Sequence, residues 1–189
     1  MKGIIIIGAV GLCLVCFSPA LSEEPPPFAT TSLEIIKLLM GDTEQASKEV
    51  AGAGGKSEWK AIMSGKKTGN KNSPPRVAMS INFIYDSDVV TDESKPLIKE
   101  LGTALASPQL NGFTFIIAGH TDSDGSESFN LALSRKRAVR VKELLVYSFD
   151  IPASKLKIGA FGESRPIASN ETVEGKAMNR RVEITRVVK

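Results

Sequence analysis

The stretch from Gly119 to Val141, GHTDSDGSESFNLALSRKRAVRV, decides the fold. Ahead of it, Asn111-Gly112 turns the chain into Phe113-Thr114-Phe115-Ile116-Ile117-Ala118, an apolar run of strand length. The segment GHTDSDGS is a Gly/Asp/Ser loop, and it feeds a long helix from about Glu127 to Ser148. On a wheel at about 100° per residue, Leu131, Ala138, Val141, Leu144 and Leu145 fall in one arc, which is expected to face a sheet. Arg135, Lys136, Lys142 and Glu143 fall opposite, with Arg140 at the flank, and are expected to be solvated.

Working outward, Val77 to Phe83 (VAMSINF) alternates apolar and polar residues, the period of a half-buried strand. Thr91 or Asp92 can cap a helix that carries Leu97, Ile98, Leu101 and Leu105 on one face, with Pro96 in its tolerant first turn. Lys155 to Ala160 and Val182 to Val188 read as two closing strands. The order β-α-β-α-β-β predicts an α/β (α+β) domain of two layers, with helices packed on one face of a mixed sheet.

Three polar residues, Asn130, Ser134 and Arg137, share the inward arc of the long helix. An inward arginine needs a counter-charge, because a buried unpaired charge costs several kcal/mol. The loop entering the helix supplies Asp122, and the helix N-terminus adds free backbone N–H groups that favour anions. Loop and inner face together would form a small pocket holding one negative and one positive group. Such a pocket suits a zwitterion: a carboxylate takes an ammonium, and a planar guanidinium grips a carboxylate through two parallel hydrogen bonds. An Asp122–Arg137 salt bridge that only orders the loop is the alternative.

At these residues the chain resembles the OmpA C-terminal-like family, the peptidoglycan-binding domain also present in Pal and MotB proteins. The loop-helix stretch is similar to the family signature, and GAFGESRPIASNETVEGKAMNRRVEI (159–184) is similar to its closing segment; the likeness extends from Val77 to Val188. The resemblance implies a pocket for the amino-acid end of meso-diaminopimelate in the peptidoglycan stem peptide. Asp122 would take the ammonium and Arg137, fifteen residues later, the carboxylate. Thr121 and Asn130 match positions lining the pocket, and Leu133 a position packing beside it. Gly119, His120, Ser134, Asn179 and Arg180 fall at supporting or rim positions, with Asn179-Arg180-Arg181 expected to anchor the last strand to the loops by hydrogen bonds. One departure is Ile84, where family members often carry an acid after the strand phenylalanine; the nearest carboxylate here is Asp86.

Other constellations are incomplete. His120, the only histidine, has no Ser or Cys partner and no second imidazole for zinc, so its expected role is to orient the loop through hydrogen bonds. Asp122-Ser123-Asp124-Gly125 lacks the third ligand and the closing bidentate Glu of a calcium loop. Gly162-Glu163-Ser164 is followed by Arg165-Pro166 and does not complete a nucleophile elbow. No metal and no cofactor are expected.

Residues 1–22 are expected to be a signal peptide: Lys2, the apolar run GIIIIGAVGLCLVCF and small residues Ser18 to Ser22. Both cysteines, Cys13 and Cys16, lie in that run, so the mature chain is expected to hold neither a disulfide nor a thiolate site. Leu12 and Val15 precede them where lipidation wants a small residue; a retained anchor is the other alternative. Removing Lys2 leaves 23 basic and 21 acidic residues, too even a balance for nucleic-acid binding. Residues 23–76, opening on Glu23-Glu24-Pro25-Pro26-Pro27, read as a flexible tether with one or two short helices, at Thr31–Met40 and around Trp59. Residues 77–189 form the predicted domain.

The expectation is a non-catalytic, exported protein of the Gram-negative periplasm, associated with the outer membrane. It would bind peptidoglycan non-covalently through diaminopimelate, with an envelope protein a further partner for the N-terminal segment. The alternatives are a partner-binding module without a competent pocket and a peptidoglycan-acting enzyme.

Overall fold

The computed structural model describes residues 25–41 and 74–187. The signal sequence, the cysteines and the Trp59 segment lie outside the described residues. Within them the elements are α1 (Ser32–Met40), β1 (Arg76–Met79), α2 (Lys95–Leu105), β2 (Phe115–His120), α3 (Glu127–Phe149), β3 (Leu156–Gly162), α4 (Val173–Asn179) and β4 (Val182–Arg186). The strands form one mixed sheet in the order β1-β4-β2-β3. β2 and β3 are parallel, and β4 runs antiparallel to both β1 and β2. This is the predicted two-layer α+β architecture.

Strand alternation sets the core. Val77, Met79, Phe115, Ile117, Leu156, Val182 and Ile184 are buried against Ile98, Leu101 and Leu105 of α2 and Ala138, Val141 and Leu145 of α3. Burying such apolar surface contributes about 25 cal/mol per Å² removed from water, the main driving term for the fold. α1 joins the same core through Ile35, Leu38 and Leu39. It opens on a capping box in which Thr31 accepts from the Glu34 amide while the Glu34 carboxylate accepts from the Thr31 amide, and it ends at Gly41, whose φ of 96° is left-handed.

Several boundaries differ from the sequence reading for identifiable reasons. β1 stops at Met79, its last residue opposite β4, rather than continuing to Phe83. Beyond Ser80 the chain pairs with itself: Phe83 bridges Val90, the Ile84 amide donates to Val89 O at 2.9 Å, and the Thr91 amide donates to Asn82 O at 3.0 Å. A 3-10 turn at Asp92–Ser94 precedes α2, so neither Thr91 nor Asp92 caps that helix directly. The short helix α4, absent from the expected order, sits between the last two strands and is capped by Thr172. Leu131, expected inward, is 49% exposed. It lies about 70° from the centre of the buried arc on the wheel, and the backbone of Gly162 passes close to its amide.

Candidate functional site

The pocket forms where β2 and β3, being parallel, both end. β2 packs so closely on α3 that a Cβ at Gly119 would lie 2.1 Å from the Ser134 carbonyl oxygen. Ser134, fully buried, ties the same corner together by accepting from the Gly162 amide at 3.0 Å and donating to Leu131 O at 2.8 Å. With the strand ends fixed to the helix, the loop from Thr121 to Ser126 must arch over the first turns of α3. The Thr121 amide donates to Gly162 O at 2.9 Å. Asn130, buried on α3, donates from Nδ2 to Asp124 O at 3.0 Å, Asp122 O at 3.3 Å and Glu163 Oε2 at 2.5 Å.

This scaffold brings Asp122 and Arg137, both more than nine-tenths buried, to one place. Burial pushes the Arg137 guanidinium down from its ordinary value; the charge of Asp122 opposes that, and Arg180 reinforces it. Arg137 Nε donates to Ser87 O at 3.2 Å, and its guanidinium lies 4.9 Å from the centroid of the Phe83 ring. Among the described residues, no carboxylate comes within ion-pairing distance of Arg137. The expected alternative, a direct Asp122–Arg137 salt bridge, is not formed. Asp122 Oδ2 pairs instead with Arg180 Nη1 at 2.6 Å.

A pocket of about 50 Å³ opens here, lined by Arg137, Arg180, Arg181, His120, Ile81, Asn82 and Phe83. Arg181 is held by Glu183, which accepts from its Nε at 2.8 Å and its Nη2 at 2.5 Å. His120 does not orient the loop as expected. Its backbone amide donates to Arg181 O, but both ring nitrogens are buried without a hydrogen-bond partner among the described residues. The ring stacks on Phe161 with centroids 5.3 Å apart. Burial, together with Arg181, Arg165 and Arg76, holds its pKa down to about 3, so the imidazole is neutral.

The remaining sequence candidates sit around this centre. Thr121 is buried with its hydroxyl unpartnered, and Leu133 is half-buried along an adjoining groove with Asp86, Asp88, Phe129 and Lys136. Ile84 is 53% exposed, whereas Asp86 and Asp88 lie near enough to act electrostatically on Arg137. Asn179 is fully buried, accepting from the Ile167 and Ala168 amides and donating to Ala168 O and Asn170 Oδ1. Sequence reasoning missed Lys176, whose Nζ pairs with Asp124 at 2.7 Å, and Asn170, which accepts from the Ser123 amide. Lys176 and Arg180 are four residues apart, the spacing that puts two side chains on one side of a helix; that signal was available once α4 was recognised. Glu163 carried no sequence signal.

Fold and site together define a small α+β module whose strand ends hold buried groups of opposite charge. The chain belongs to the OmpA family, whose model matches residues 82–180, more than half of its length. It is 37% identical over 108 residues to outer membrane porin F of Pseudomonas aeruginosa, covering 57% of this chain and 30% of that protein. Against the peptidoglycan-associated lipoprotein of Pseudomonas putida the identity is 32% over 111 residues, with 59% and 64% covered. The chain thus spans between under a third and just under two thirds of the length of these relatives. Among solved structures, the peptidoglycan-associated lipoprotein of Burkholderia pseudomallei superposes with a TM-score of 0.50 at 26% identity, covering 57% of this chain and 88% of that one. The periplasmic domain of Helicobacter pylori MotB shares the fold at a TM-score of 0.54 and 20% identity, covering 62% of this chain and 78% of that one.

Proposed function

We propose that this protein is a non-catalytic binding module of the Gram-negative envelope that holds peptidoglycan through the free amino-acid end of diaminopimelate. The observation that carries the reading is Arg137: a residue only 8% exposed, without a carboxylate partner among the described residues, beside a buried Asp122. A ligand carboxylate would satisfy Arg137 and an ammonium on the same carbon would meet Asp122, with Asn130 holding the loop, Thr121 beside Asp122 and Leu133 in the adjoining groove. The relatives support the choice of polymer, since two of them carry peptidoglycan association in their names. Their outer-membrane and lipoprotein names likewise support a periplasmic location against the outer membrane, with that membrane or an envelope protein as a further partner. Many copies of the ligand on one polymer raise the effective concentration, so one modest site suffices for retention.

A peptidoglycan-acting enzyme would need an activated nucleophile or metal-bound water. The one imidazole is neutral but buried and stacked on Phe161, with no side chain to activate. The Asp122–Arg180 ion pair favours a second reading, a partner-binding module whose pocket is closed by its own side chains. Sedimentation with purified sacculi separates them. Truncating one partner of a desolvated charge pair costs about 2–5 kcal/mol, so Asp122→Ala and Arg137→Ala should each lose at least about tenfold in binding. Pelleting of both variants at the wild-type level would sink the diaminopimelate assignment in favour of the second reading.

A further inference from the structure

Every charged side chain lining the pocket is a cation: Arg137, Arg180 and Arg181. Two nearby carboxylates are each engaged by one of them, Asp122 by Arg180 and Glu183 by Arg181. The two pairs are not equivalent. Arg181 is sealed, with its side chain 2% exposed, and donates twice to Glu183 as well as to two backbone carbonyls. Among the described residues Arg180 makes one side-chain hydrogen bond, to Asp122, and its side chain is 44% exposed, whereas that of Asp122 is 10% exposed. The aspartate is therefore fixed, by its burial and by the Asp124 amide donating to Oδ1 at 3.2 Å, while the arginine can swing into water.

We propose that Arg180 is the specificity-determining residue of this site: an internal counter-ion that stands on Asp122 where the ammonium of a zwitterionic ligand binds, and that the ammonium displaces. The proposal rests on the diaminopimelate reading and deepens it. A carboxylate without an ammonium can reach Arg137 with Arg180 still in place, and gains from the extra positive charge. A zwitterion must exchange one cation for another at Asp122, so its binding is weakened by Arg180. The residue thereby sets how strongly the site prefers an amino-acid end over a plain carboxylate.

The test compares meso-diaminopimelate with pimelate, the same carbon chain without amines, by calorimetry on the wild type, Arg180→Ala and Arg180→Lys. Loss of a partly exposed competing ion pair is expected to raise the preference for diaminopimelate over pimelate by up to about fivefold in Arg180→Ala, with tighter diaminopimelate and weaker pimelate binding. Arg180→Lys, which keeps the charge, should stay within about twofold of the wild-type ratio. An unchanged ratio in Arg180→Ala, or equal weakening of both ligands, would overturn the proposal by making Arg180 a pillar of the loop. If the wild type binds neither ligand, the diaminopimelate reading itself fails, and this proposal with it. Side-chain NMR supplies a readout independent of stability: the Arg180 guanidinium resonance should move to its solvent-exposed position on addition of diaminopimelate and stay in place with pimelate.

Discussion

His120 is 2% exposed and stacked on Phe161, with the Glu183 carboxylate 3.5 Å from Nε2 and Arg181, Arg165 and Arg76 near enough to act on it electrostatically. With its folded pKa at about 3 and an ordinary value of 6.5, the folded state binds fewer protons than the unfolded chain between those limits. Stability from this residue is therefore full above about pH 6.5 and is lost as pH falls towards 3, at about 1.4 kcal/mol for each pH step over which the two states differ by a whole proton. Glu183 and other carboxylates also titrate on the way down, so the informative quantity is the difference between variants. His120→Phe keeps the stack on Phe161 and removes the titration. Urea midpoints at pH 7, 5 and 4 should fall less steeply for this variant than for the wild type; parallel declines would mean that folding does not suppress protonation of His120. The same neighbourhood marks the reach of sequence reading at single residues. Arg137 declared itself by pointing inward on a helical wheel, a local property. Its neutralising partner was assigned to Asp122 by proximity along the chain, whereas Asp122 is held by Arg180, 58 positions away. Such a contact depends on how α4 and β4 return to the loop, which no periodicity encodes.

At the scale of elements, the strands and long helices were legible because one face of each is buried and the period of that burial is written in the apolar residues. The α3 boundaries, Glu127–Phe149, fall within a residue of the expectation, and Ser126 accepts from the Phe129 amide as its cap. What the period does not state is the surface against which a stripe packs. The cap and apolar side of α1 were readable, but not its place in the main core, where Ile35 and Leu39 are fully buried and the Ser32 amide donates to Glu100 of α2 at 2.7 Å. Ahead of it, Phe28 bridges Ala78 in parallel and covers the free edge of β1, a site that would otherwise offer unpaired backbone groups. We therefore expect residues 25–41 to fold with residues 74–187 rather than as an independent tether. Leu39→Ala should cost about 2–5 kcal/mol in urea unfolding, as for other fully buried leucines, in a single transition followed by far-ultraviolet circular dichroism. A loss under about 0.5 kcal/mol, the range of ordinary surface substitutions, would detach α1 from the cooperative unit.

For the whole molecule, the sheet separates two poles. The pocket lies at the end where β2 finishes and β4 begins. At the other end of β4, the Arg186 amide donates to Pro75 O at 2.9 Å and its guanidinium to Met40 O at 3.4 Å. A side-chain carbon at Gly41 would touch Pro75 at 3.9 Å. The chain thus leaves α1 and re-enters β1 at nearly the same point, on the pole away from the Thr121–Ser126 loop. Parallel pairing of Phe28 with Ala78 brings the chain from Pro25 in alongside Arg76, at that pole as well. Closing a loop costs about (3/2)RT ln n, so replacing residues 42–73 by a five-residue Gly/Ser linker should stabilise the domain by roughly 1.5 kcal/mol, provided those residues contribute no packing of their own. Diaminopimelate affinity should be unchanged, because the altered junction and the Asp122–Arg137 pocket lie at opposite ends of the sheet. Urea unfolding and calorimetry on the shortened chain read the two expectations separately. Lower stability would assign packing to residues 42–73, and weaker binding would make the far pole part of the site and remove the separation argued from β4.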